Sequence, residues 1–241
     1  MRERILVLTS WAAIFAAMVA MIVGHAGATS LTPLANQIST YAAQAPHHGW
    51  ITAGIVLPGL ALASMAILIS GHKMLGDSWL AHVAPLLAGA AVAGLFTLAL
   101  FKETAPTMAV LKNSGIEEII QQSMHNAGLM IFFYSTILLL TLCGGLTFTR
   151  SAGWPGKMLG VGAALLGLAA FPLMTEPWPR VLGITGPVHG LMQRASLLSL
   201  WLGASMVLLA ARPPALALLQ NKAASEKRSR VWPHQAHGNQ T

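Results

Sequence analysis

Apolar and polar positions along this chain fall into long blocks. Six apolar runs, near Ile5–Gly24, Trp50–Ser70, Leu80–Phe101, Asn126–Phe148, Met158–Met174 and Val188–Ala211, are of membrane-crossing length. A hydrocarbon core of ~30 Å demands about 20 apolar residues per helix. The pattern predicts an all-α, polytopic membrane protein with six transmembrane helices. Arg2 and Arg4 before the first run and Ala26–Ala28 after it imitate a cleaved leader. Its apolar core exceeds the usual h-region of about 7–15 residues, so a retained helix is expected.

Composition agrees. Hydrophobic residues are 55% of the 241 and charged residues 9%, against about a quarter charged in a soluble domain. Cys143 is the single cysteine and sits in an apolar run, which excludes a disulfide framework or a thiolate zinc cluster. The net charge of +7 is no nucleic-acid signature, because Arg212, Lys222, Lys227, Arg228 and Arg230 gather after the last run. That divides the chain into a transmembrane domain over residues 1–212 and a basic, disordered tail over 213–241, anchored near anionic lipid.

Basic residues also set an orientation. Arg2, Arg4, Lys73, Arg150, Lys157 and the five in the tail fall on one side, ten in all; Lys102, Lys112, Arg180 and Arg194 make four on the other. The positive-inside rule then predicts both termini in the cytoplasm. Trp50 and Trp178 would mark the outer interface, Trp79 and Trp154 the inner one. Pro58, Pro85 and Pro172 would kink their helices or shape a cavity, ordinary bundle packing being the plainer account. Gly156 with Gly160, and Gly186 with Gly190, have close-packing spacing, though 23 glycines produce such matches by chance.

The outer loops are the longer ones. In the first, Thr32-Pro33 predicts the start of a short helix, lying at the interface or dipping into the bundle. In the third, Ser114-Gly-Ile-Glu117 is a capping-box pattern, so the fourth helix is expected to begin near Gly115 and carry His125 into the membrane. Polar residues then collect in the outer half: Lys102 and Glu103 leaving the third span, His125 and Asn126 entering the fourth, Glu176 leaving the fifth, and His189, Gln193 and Arg194 entering the sixth. His189, Gln193 and Ser196 share one helical stripe, while Arg194 points away from His189. One face would line a cavity, with Arg194 reaching Glu103 or Glu176. Arg194 is also close enough to the helix start, roughly 10 Å, for snorkelling or a purely structural ion pair. A metal or axially ligated haem on His125 and His189, with Glu103 or Glu176, is a second chemistry, for which no HxxxH, HExxH or CxxCH motif speaks. No GxSxG elbow supports a serine nucleophile.

Four segments resemble a bacterial and archaeal membrane family known as domain of unknown function 998. Ser30-Leu-Thr-Pro-Leu-Ala-Asn-Gln-Ile-Ser-Thr-Tyr41 is similar to its segment after the first helix. Phe101-Lys-Glu-Thr104 resembles its Phe, acidic residue and Thr after the third. Met124-His-Asn-Ala-Gly128 looks like its start of the fourth, and Gly190-Leu-Met-Gln-Arg194 like its Gly-x-x-Gln-Arg near the last. The resemblance spans about residues 1 to 212 and implies a compact bundle of about six helices, with no established reaction or ligand. The aspartate usual in the second motif is replaced here by Glu103, beside Lys102.

The sequence thus predicts an outward-facing polar pocket among the third to sixth spans, roofed by the first and third loops. A lipid headgroup or small amphiphile would bind there, with Glu103, His125, Glu176, His189, Gln193 and Arg194 as candidate contacts and Arg194 or Lys102 on an anionic group. A haem- or metal-dependent enzyme or electron carrier, and an accessory subunit of a membrane complex, are the rival functions. A transporter lacks support, since neither an inverted repeat nor paired mid-membrane acids are visible.

Overall fold

In the computed structural model, residues 2–28, 30–33, 35–71, 79–103, 115–151, 153–174 and 188–210 are described, those at 2, 3, 71, 80, 81, 173, 174 and 189 without their side chains. Every element among them is helical: α1 Arg2–His25, α2 Ile38–Gln44, α3 His48–Gly71, α4 Leu80–Leu100, α5 Ile116–Arg150, α6 Trp154–Met174 and α7 His189–Ala210. All but α2 are long and apolar enough to cross a membrane. Their outer faces carry large bare side chains, such as Phe15, Leu86 and Leu100 at 68%, 72% and 75% exposure. Water would penalise such a surface; acyl chains solvate it, and helices satisfy their own backbone there.

The expected boundaries hold closely, and α5 runs well past its apolar part. At 1.5 Å per residue its 35 residues span about 52 Å, more than a hydrocarbon core. It begins after Gly115 in extended conformation, with Glu117 and Glu118 in the first turn and Arg150 in the last, charges that complement the helix dipole. Gly115 makes no side-chain cap, and Ser114 of the expected capping box lies outside the described residues. The tail from residue 211, Lys73, Lys112, Glu176, Trp178 and Arg180 also lie outside them.

Consecutive long helices pack side by side, α1 on α3, then α4, α5, α6 and α7 in turn, and α7 leans back on α5. Between α7 and α1 the ring closes only lightly, and α2 touches both α3 and α7 near that seam. Small residues set the tightest crossing. A Cβ on Gly144 of α5 would stand 2.5 Å from Gly160 O of α6, and one on Gly160 would stand 2.6 Å from Gly144 O. Lipid supplies no hydrophobic drive between helices, so such backbone contact does the holding. Gly156, the expected partner of Gly160 in a close-packing pair, faces Ser151 instead.

Pro58, Pro85 and Pro172 all lie inside helices. The exposed rings of Trp50, Trp79 and Trp154 begin α3, α4 and α6, at helix ends, where an amphipathic indole meets the headgroups. His25, α2, Phe101–Glu103, Gly115 and the start of α7 share one end of the bundle.

Candidate functional site

The exit from α4 is stitched to α5. The carbonyls of a helix C-terminus lack partners within the helix. His125 takes that of Phe101 at 2.7 Å, and Gln121, one turn earlier on α5, donates Nε2 to that of Lys102 at 3.2 Å. A carbonyl only accepts, so His125 Nδ1 is the donor and its Nε2 faces elsewhere. Glu103 then reaches across to α2, accepting Thr40 Oγ1 at 2.9 Å.

The start of α7 is stitched to the first connection. Gln193 is 8% exposed, and its Oε1 accepts the Ile38 N–H at 2.6 Å. That N–H is one of the orphans at the start of α2, whose Gln37 cap offers no side chain. Arg194 Nη1 donates to the carbonyls of Pro33, Asn36 and its own Gly190, at 2.8, 2.9 and 2.9 Å. Nη2 lies 2.5 Å from His25 Nε2. Gly190 is required here, since a Cβ would collide with the Pro33 and Asn36 carbonyl oxygens. Tyr41, 1% exposed, sits under the guanidinium at 5.2 Å and against the His25 ring at 4.2 Å. Burial pushes the Tyr41 phenol up from its ordinary value, against a smaller opposing pull from Arg194, so a neutral aromatic face meets the cation.

Among the described residues, Arg194 meets backbone carbonyls and an imidazole, and Glu103 is engaged by Thr40 rather than by Arg194. Glu176 falls outside the described residues, as does the His189 side chain. The expected stripe of His189, Gln193 and Ser196 also divides. Ser196 turns to α6, donating to Ala170 O at 3.0 Å. Gln193 instead joins Leu197 and Trp201, at i+4 and i+8, on the wall of a cavity.

That cavity has a volume of about 40 Å³. One water needs about 10–15 Å³ of such space, so it admits a slim group. Its walls come from Met21 of α1, Ile55 and Pro58 of α3, Leu95 and Leu98 of α4, and Leu129, Phe132 and Phe133 of α5. Ile38 and Ser39 of α2 border it as well. Into this apolar lining come His125, 4% exposed, and Gln193. Among the described residues, neither His125 Nε2 nor Gln193 Nε2 has a partner. Trp201 Nε1 is buried without one too. No group of three His, Cys, Asp or Glu side chains converges among the described residues in a way that could hold a metal.

Residues 11–212 match the family model described as protein of unknown function DUF998. This chain belongs to the DUF998 family. No curated protein and no solved structure matches it. The four segments on which the resemblance rested come together here: Asn36 to Tyr41, Phe101 to Glu103, His125, and Gly190 to Arg194 are joined by the hydrogen bonds above. In this DUF998 protein the sequence does not mark the pairing of His25 and Tyr41 with Arg194. Their signal was available only as a histidine and a tyrosine flanking an uncharged connection.

Proposed function

We propose that this DUF998 protein binds a slim, neutral amphiphile in the cavity beneath α2. The carrying observation is the pair of nine-tenths-buried side chains, His125 and Gln193, that border an apolar space with unpartnered ring and amide nitrogens. Both nitrogens can serve a bound group, because neither is used by a described residue. A hydroxyl fits best: its hydrogen would go to His125 Nε2 and its oxygen would accept from Gln193 Nε2. No cation borders the cavity among the described residues, and Arg194 is occupied outside it, so a neutral headgroup replaces the anionic one expected from sequence. The apolar part of the ligand would lie among Leu95, Leu98, Phe132 and Phe133.

The distribution of basic residues supports an orientation with both termini cytoplasmic and the α2 end facing outward from a bacterial inner membrane. The cavity then opens toward the outer leaflet. Glu103 and Arg194 hold the cover of the site, with His125 and Gln193 as the ligand contacts.

The test is mass spectrometry of organic extracts from the purified protein. One neutral amphiphile should be enriched with wild type and depleted about tenfold both by Leu129→Phe, which fills the cavity, and by the His125→Leu, Gln193→Leu double variant. Identical extracts from all three would refute binding at this site. A second reading, a structural subunit whose polar cluster only locks the bundle, draws on the loop carbonyls held by Arg194; it expects those identical extracts.

A further inference from the structure

Both ring nitrogens of His25 are engaged. Nδ1 lies 2.5 Å from Met21 O, and a carbonyl only accepts, so Nδ1 carries a hydrogen. Nε2 lies 2.5 Å from Arg194 Nη2, and a guanidinium only donates, so Nε2 presents its lone pair. The two contacts together admit one state, the neutral imidazole protonated at Nδ1. A second proton would set N–H against N–H and cation against cation.

We infer that His25 and Arg194 form a pH-sensitive latch that holds α2 over the cavity and releases it when His25 gains a proton. The mechanical link runs through the same guanidinium. Arg194 Nη1 grips Pro33 O and Asn36 O, immediately before α2, while the adjacent Gln193 grips the first N–H of α2. Ile38 and Ser39 of that helix border the cavity. An arginine driven off an imidazolium also gives up the two loop carbonyls, and the cover loses its strongest tether.

Among the described residues, the groups around His25 offer no compensation for a second charge. From α2 comes Tyr41, a neutral phenol. From α7 comes Arg194; the His189 side chain lies outside the described residues. The connection from Ala26 to Gln37 has no ionisable side chain. Beyond Gly27 stands the His47 ring, with His48 beginning α3. Glu103 meets α2 through Thr40, and no described carboxylate is bonded to His25. The closed arrangement therefore binds one proton fewer at His25 than the open one, so its population falls as pH falls. A neutral imidazole gains its proton as pH falls, which suits histidine to such a switch.

The effect on ligand release rests on the amphiphile reading; the latch does not. The experiment is hydrogen–deuterium exchange of the whole protein in nanodiscs, without added ligand, from pH 8 to pH 5.5, corrected for the intrinsic pH dependence of exchange. Protection of peptides covering Ile38–Gln44 should fall about tenfold on acidification, while α5 peptides stay constant. His25→Gln keeps an acceptor for Arg194 and cannot titrate, so its protection should be flat with pH; His47→Gln should respond like wild type. Flat protection in wild type, or an equal fall in His25→Gln, overturns the latch. Either result leaves the extraction experiment unaffected, so the two ideas fail separately.

Discussion

Arg194 of α7 and His25 of α1 meet at 2.5 Å across the lightly packed seam where the ring of helices closes. Arg194 also carries two carbonyls of the connection between α1 and α2. Hydrogen bonds to a charged group are worth about 1.5–3 kcal/mol each in mutational series, and these share one guanidinium. Arg194→Leu should therefore lower the melting temperature in detergent by several degrees. In a double-mutant cycle the loss should overlap strongly with that of His25→Leu. Additive losses would show that the pair does not act as a unit.

Gln193→Leu isolates a different tether. It keeps the side-chain bulk but orphans the Ile38 N–H, a penalty of about 1–3 kcal/mol. Amide exchange at Ile38 should accelerate about tenfold or more, with little change at Ser196, whose hydroxyl holds α6. Unchanged exchange at Ile38 would remove Gln193 from its role as the cap of α2.

The α5–α6 crossing admits no side chain at its centre. Gly160→Val places three carbons where the Gly144 carbonyl stands 2.6 Å from even a first one, so the helices must separate. Loss of folded protein on size-exclusion chromatography is expected. Gly145→Ala, next to the crossing but with nothing within 4 Å, should be tolerated and gain about 1 kcal/mol of helix propensity. Equal behaviour of the two variants would contradict the packing.

Cys143 is 2% exposed in the core between the helices. Maleimide should leave it unmodified in the native protein and label it fully after denaturation in sodium dodecyl sulfate. Rapid native labelling would mean that the core opens far more readily than its packing implies.

Much of this architecture was legible because membrane-crossing length is a strong one-dimensional signal. Val188–Ala211 as expected and His189–Ala210 as found differ by one residue at each end. The extension of α5 to Ile116 was readable too, from the Ser114-to-Glu117 pattern that put its start near Gly115. The first connection was read only in part. Thr32-Pro33 opens a single turn, with Asn36 N–H on Thr32 O at 2.8 Å. Asn36 Oδ1 then bonds back to Thr32 N–H, Gln37 turns extended, and α2 begins at Ile38. A side chain competing for backbone hydrogen bonds sets that break.

The partner of Arg194 was not legible, for a physical reason. Sequence advertises carboxylates as counter-charges, whereas every residue carries a carbonyl, so Pro33 and Asn36 give no mark of being acceptors. Of the six candidate contacts, the structure brings His125 and Gln193 to one cavity and sends Glu103 and Arg194 to the cover. Glu176 and the His189 side chain fall outside the described residues.

The most direct test of amphiphile binding is an electron density map of the protein purified in native lipid, inspected at the cavity between α2, α5 and α7. The account predicts a continuous non-protein feature with its polar end within 3.2 Å, a common hydrogen-bond limit, of both His125 Nε2 and Gln193 Nε2. A cavity that is empty, or holds only waters satisfying those two nitrogens, would contradict it.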